Sequence, residues 1–419
     1  MFQSYQLTNK ANVILIPQQD TKSITTLVMY PVGSRYEPEK LSGVSHYVEH
    51  LMFKGTKKRK NTLTLTREID RLGAEYNAFT GKEYTGYYIK ADATYLPISL
   101  DILSDMLFHS VFDPKEMEKE KGPIVEELRM YKDNPLMDID NVFEDVLYKG
   151  SPLGRDIGGT EKHVMSYKRD DVLAYRDKYY DVSNMTIVVA GAVTDKTKGA
   201  IETYFGQQAS QTKASKTFLP YCFGPKQKTD RIIVQQKKTD QAQLMIGFPA
   251  FSHGGKENTT LDVLNTILGG SMSSRLFIQI RERRGLAYMI RSGSQQFRDT
   301  GYMYIRAGLD PKNVNKALGV MQDEIHKIID KGVTKRELMD AKTHIKGSLT
   351  LSLEDSSAQA NWYAEQALFM NRISTPEEEM EKIEAVTNEH IKALAKKIFK
   401  FNDMRLAIIG DVSPESIRI

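Results

Sequence analysis

Met185-Thr186-Ile187-Val188-Val189-Ala190-Gly191 reads as a strand, and 219 residues later Met404-Arg405-Leu406-Ala407-Ile408-Ile409-Gly410 repeats it. Three further echoes keep the same order. Arg71-Leu72-Gly73-Ala74-Glu75-Tyr76 answers to Arg283-Arg284-Gly285-Leu286-Ala287-Tyr288, Thr85-Gly86-Tyr87 to Thr300-Gly301-Tyr302, and Ile89-Lys90-Ala91 to Ile305-Arg306-Ala307. Ordered matches at offsets of 212 to 219 residues indicate two copies of one module. Each copy mixes β-rich runs such as Arg231-Ile232-Ile233-Val234 with long amphipathic helices. The expected fold is therefore α+β: two homologous domains, each a mostly antiparallel sheet covered by helices on one side. The polar stretch Ala209 to Asp230 reads as a linker, which sets the domains at 1–208 and 231–419.

Composition is that of a globular chain, 40% hydrophobic and 27% charged over 419 residues, enough for two sizeable cores. No apolar run reaches about 18 residues, and the first residues carry no basic segment followed by an apolar one. The expectation is a cytoplasmic protein with no membrane partner. Net charge is only +4, and the basic run Lys57-Lys58-Arg59-Lys60 stands alone without interleaved aromatics, so it reads as a solvated loop and nucleic acid is not expected. The single cysteine, Cys222, falls in the linker and has no partner for a disulfide.

Chemistry concentrates in the first copy, at His46-Tyr47-Val48-Glu49-His50. On a helix, residues i and i+4 lie about 40° apart around the axis, so both imidazoles can offer a ring nitrogen to one ion. Glu49 projects close beside them, free to act on a metal-bound water's proton. The order H-x-x-E-H is the inverted zinc-peptidase motif. Val44, Tyr47, Val48, Leu51 and Met52 are apolar at helical spacing and bury one side, with Ser42 as the N-cap and Gly55 as the stop. The other reading is an amphipathic helix with solvated histidines, but histidines beside a buried stripe ordinarily need partners.

One more ligand is required. Asp113-Pro114-Lys115-Glu116 opens a long acidic helix with a capping-box pattern and proline at its first position. Along it Glu120 and Glu127 are two turns apart and share a face. By itself this helix reads first as a solvated acidic face, as most Glu/Lys runs are. Gly122-Pro123 interrupts it, and proline removes a helical hydrogen bond.

The runs HYVEHLMFKGT (46–56), NAFTGKEYTGYY (77–88) and EKEKGPIVEEL (118–128) together resemble the pitrilysin, insulin-degrading and mitochondrial processing peptidase family, in its short-chain bacterial form. The resemblance spans nearly the whole chain and implies a zinc-dependent endopeptidase. The family's glutamate ligand stands about 76 residues beyond the second histidine, a count that from His50 falls on Glu126, with Glu127 at 77; the pattern E-x-E-x6-E anchored on Glu118 and Glu120 selects Glu127, and one extra residue in the loop Lys57 to Thr66 would account for the shift. The implied zinc ligands are His46, His50 and Glu127, with Glu49 as general base and Glu120 as a supporting carboxylate. Asn77, Ala78 and Phe79 match the edge strand that pairs with an extended peptide. Arg281 and Tyr288 match the arginine and tyrosine that reach the substrate carbonyl.

In family members of this size two chains close face to face like a clamshell. The resemblance thus implies a homodimer, or a heterodimer with a related chain, whose chamber admits peptides or unfolded segments. The second copy reads Asp262-Val263-Leu264-Asn265-Thr266-Ile267-Leu268 where the first has its histidines, so one active site per chain is expected. A non-catalytic scaffold subunit of the same fold is the alternative, and the intact zinc residues count against it.

Overall fold

The computed structural model of the chain describes residues 2–210, 217–221, 223 and 231–418. One sheet is built from β1 (Gln3–Gln6), β2 (Asn12–Pro17), β3 (Ser23–Tyr30), β4 (Glu75–Thr80), β5 (Thr85–Asp92) and β6 (Thr186–Gly191) in the order β1-β2-β6-β3-β5-β4. The other uses β7 (Ile232–Gln236), β8 (Ala242–Pro249), β9 (Ala287–Gln296), β10 (Gly301–Leu309) and β11 (Arg405–Gly410) in the order β7-β11-β8-β10-β9. With β1 set aside, replacing β2, β6, β3, β5 and β4 by β7, β11, β8, β10 and β9 converts the first order into the second. The repeat read from the sequence is thus a repeat of topology. Among the described residues each sheet has one parallel pairing, β2 with β6 and β7 with β11, and the rest are antiparallel. The α+β class with two related domains holds.

The compact units are not the contiguous halves 1–208 and 231–419. One comprises Met1–Arg129, Arg155–Leu219 and Leu351–Ile373, the other Met130–Gly154, Pro220–Thr350 and Ser374–Ile419. Most of the expected linker 209–230, Cys222 included, lies outside the described residues.

The cause of this exchange is visible in the strands, whose side chains alternate between faces. In the first unit Val13, Leu15, Ile24, Val28, Ile187 and Val189 enter one core beneath the helices of their own half, including Leu96–His109. The residues between them, Ile14, Ile16, Leu27, Met29, Val188 and Ala190, are equally apolar and form a second cluster with Ala360, Tyr363 and Ala364. Those three belong to the helix Ser356–Phe369, which comes from the other half of the sequence. In the second unit Met245, Ala407 and Ile409 pack against Ile139, Val142 and Phe143 of the helix Pro135–Leu147, again from the opposite half. A sheet apolar on both faces must bury both, and covering by helices on one side is therefore corrected to covering on two.

The basic run after the two-histidine helix is not a solvated loop throughout. Arg59 is 1% exposed and bonds Glu68 (Nε–Oε2 2.7 Å), Asp101 (Nη2–Oδ2 2.7 Å) and Asp105 (Nη1–Oδ2 2.9 Å). A buried guanidinium needs such acceptors, and here they clamp the loop to its own unit.

A candidate metal centre

The two histidines sit on an eight-residue helix, Val44–Leu51, whose Val44, Ser45, Tyr47, Val48 and Leu51 are buried. Its N-cap is Gly43 rather than Ser42. Gly43 has φ +93°, and a Cβ there would lie 2.3 Å from the Gly158 carbonyl oxygen, so only glycine fits. Having no side chain, it cannot cap the helix itself. The cap comes from Glu37, whose buried carboxylate accepts the N–H of Gly43 (2.6 Å) and of Ser45 (2.7 Å). Tyr167 donates its hydroxyl to the Ser42 carbonyl (2.5 Å), and Tyr47 donates to the Met117 carbonyl (2.5 Å) on the acidic helix.

That acidic helix, Pro114–Asp133, starts with Asp113 accepting the N–H of Lys115 (2.8 Å) and Glu116 (3.2 Å), and it continues through Pro123. It buries Met117, Ile124, Val125 and Leu128, which turns Glu120 and Glu127 toward the histidines.

His46 Nε2 and His50 Nε2 face each other at 3.1 Å, and Glu127 Oε2 lies 3.6 Å from each. The three ligand atoms all fall within 4.8 Å of one another. Donors about 2.1 Å from a tetrahedral zinc stand about 3.4 Å apart, so this triangle has the size that such an ion requires. The proton arrangement agrees. His50 Nδ1 lies 3.0 Å from Glu120 Oε1, and a proton held in that bond leaves Nε2 a bare lone pair. Glu120 is in turn anchored by Lys54 Nζ at 2.5 Å. Burial, with His50 adding to it, pulls the His46 imidazole down to about 4, so it is neutral near pH 7 and ready to ligate. Without a cation, two imidazoles and a carboxylate would gain little from this closeness. Residues and zinc fit.

Glu126, the other candidate ligand, is exposed and bonds Arg129 (2.7 Å) on the outer side of the helix. Burial pushes the Glu127 carboxyl up, with Asp156 and Glu120 adding to it against the opposing pull of His50. For Glu120 burial is outweighed by the bonds to His50 and Lys54, and its carboxyl is held below the usual range.

Glu49 is half-buried, and its Oε2 accepts the hydroxyl of Thr80 at the end of β4. Burial raises its carboxyl, Thr80 and His50 oppose this, and Glu127 reinforces it. Glu37 escaped the sequence reading, and Thr80 was legible there as part of the edge strand but not as a partner of Glu49. Neither belongs to a recognisable spacing, because each reaches the helix through the fold.

Asn77, Ala78 and Phe79 lie on β4, which among the described residues pairs only with β5 and forms one edge of its sheet. Arg281 and Tyr288 belong to the second unit. There Arg281 lies over the Tyr288 ring (5.3 Å to the centroid), and Tyr288 is 74% exposed.

Fold and site together define a class: a pair of related α+β units, of which one carries an inverted two-histidine helix facing a distant glutamate. Residues 12–161 match the family described as Insulinase (Peptidase family M16), and residues 166–345 match the Peptidase M16 inactive domain. A Bacillus subtilis protein named as an uncharacterized zinc protease is 34% identical over 410 residues, 98% of each chain. One of the same description from Streptomyces coelicolor is 33% identical over 381 residues, 90% of this chain and 83% of its own. The chain belongs to peptidase family M16. In fold it is similar to a protease from Helicobacter pylori (TM-score 0.91, 23% identity, covering 98% and 99% of the two chains). It is also similar to a putative M16-like peptidase from Alicyclobacillus acidocaldarius (TM-score 0.86, 18% identity, 98% of both). Among the described residues no helix is long and apolar enough to cross a membrane.

Proposed function

We propose that this chain is a zinc-dependent endopeptidase that hydrolyses peptides or unfolded protein segments. The observation that carries this reading is the convergence of His46, His50 and Glu127 within 4.8 Å. When bound, zinc supplies a Lewis acid for the water and the scissile carbonyl. His46, His50 and Glu127 hold it, and Glu120 fixes the ring of His50. Glu49 takes the proton of the attacking water and returns it to the leaving nitrogen, a role suited to a carboxyl whose affinity for protons is raised. The open edge of β4 grips an extended substrate through its backbone, a mode that leaves side-chain preference loose. In this reading two copies close face to face in the cytoplasm, and the partner's Arg281 and Tyr288 donate hydrogen bonds to the developing oxyanion. Their mutual stacking and the exposure of Tyr288 support that role.

Metal analysis of the purified chain, combined with chelator-sensitive digestion of a mixed peptide library, tests the reading. Glu49→Gln is expected to retain zinc and to lose activity by about 10²- to 10⁴-fold, while His46→Ala loses both. A chain free of zinc that captures a related subunit and cleaves nothing would instead be the scaffold.

A further inference from the structure

Thr80 lies between the two parts of the site, and it rests on a firm base. The ring of Phe79 occupies the space over Gly86, where a Cβ would come within 2.3 Å of it. On the other side, the Gly81 carbonyl accepts the Ser34 N–H (3.2 Å), and the Gly81 N–H bonds the Tyr84 carbonyl (2.8 Å). Gly33 approaches so closely that a Cβ on it would lie 2.1 Å from the Gly81 oxygen. The end of β4 is thereby pinned from both directions, and the Thr80 hydroxyl points at one place. That place is Oε2 of Glu49. Oε1 remains for the proton being moved.

We propose that Thr80 is a positioning residue that ties the peptide-gripping edge of β4 to the base: its hydroxyl fixes the rotamer of Glu49 and leaves Oε1 to face the water. This deepens the peptidase reading and rests on it. Thr80 is none of the three ligands, and its hydroxyl bonds the base instead. Asn77, Ala78 and Phe79, which meet the substrate backbone, are continuous with it. The strand that grips the substrate backbone thus also aims the base.

The test uses zinc-loaded full-length protein, an internally quenched peptide and two variants. Thr80→Val removes the hydroxyl at nearly constant shape and is expected to lower kcat about 10- to 100-fold, the effect of one hydrogen bond to a charged group, with KM within about twofold. Zinc content and melting temperature should match the wild type. Thr80→Ser restores the donor and should return kcat to within about threefold of the wild type. A Thr80→Val protein with unchanged kcat, or a Thr80→Ser protein as impaired as Thr80→Val, would overturn the inference. So would loss of zinc or of cooperative unfolding in Thr80→Val, which would make the hydroxyl a merely structural element. Wild-type protein that holds zinc but cleaves nothing would end the peptidase reading itself, a result obtained before any variant is compared.

Discussion

Two neighbouring glutamates show how much a single position on a helix decides. Glu127 faces the imidazoles while Glu126 bonds Arg129 at the surface, because the buried stripe Ile124, Val125 and Leu128 sets the rotation of the helix. Glu127→Gln is expected to strip zinc from the protein, whereas Glu126→Gln should keep it and shift stability by no more than about 0.5 kcal/mol. Atomic absorption on the two variants checks this, and equal zinc content in both would refute the assignment. Glu37 carries a second residue-scale consequence. Burial pushes its carboxyl up to about 7, from an ordinary value of 4.5, against the bonds from Ser45 and Gly43 and the charge of Arg155. The folded state then binds a proton more tightly than the unfolded one. Its contribution to stability is complete below pH 4.5 and declines as pH rises through about 7. A glutamine cannot titrate. The stability advantage of wild type over Glu37→Gln should therefore narrow between about pH 5 and pH 8, as read from urea denaturation midpoints, and a constant gap would contradict it.

At the scale of elements, what matters is that each sheet is covered on its second face by a helix supplied from the far half of the chain. Gly247 of β8 shows how close that covering is. A Cβ there would stand 2.4 Å from the Phe143 ring and 2.8 Å from the Met303 carbonyl oxygen. The ring could shift, but the backbone oxygen cannot. Gly247→Val is expected to destabilise the protein by about 1–3 kcal/mol, measurable as a lowered denaturation midpoint, and an unchanged midpoint would show that the contact is not tight. The two-histidine helix obeys the same logic in miniature. At eight residues it is too short to be stable by propensity, and it is held by Glu37, Tyr167 and its buried stripe.

For the whole molecule, the proposal that two chains share one chamber makes a distinct demand. If the partner's Tyr288 serves the zinc of this chain, His46→Ala and Tyr288→Phe proteins should each be impaired, yet a mixed dimer contains one complete site. Equal mixing with free exchange should restore roughly a quarter of wild-type activity, since half the dimers are mixed and each has one good site of two. Activity in the mixture no greater than the sum of the separate variants would exclude service in trans. The measurement needs only a peptide substrate and the two purified proteins.

Local pattern sufficed for much of this. The strand repeats foretold two related units because a strand's identity lies in short runs of side chains, and β6 and β11 did occupy equivalent places. His46, Glu49 and His50 were legible because helical periodicity alone sets their spacing. Tertiary structure decided the rest. The exchange of Pro135–Leu147 and Ser356–Phe369 between halves is invisible in sequence, since an apolar stripe does not name the sheet that buries it. The burial of Arg59, the cap from Glu37 and the hydroxyl of Thr80 are likewise contacts between residues whose separation along the chain obeys no period. Covalent spacing specifies what one element can present, and only packing specifies what it meets.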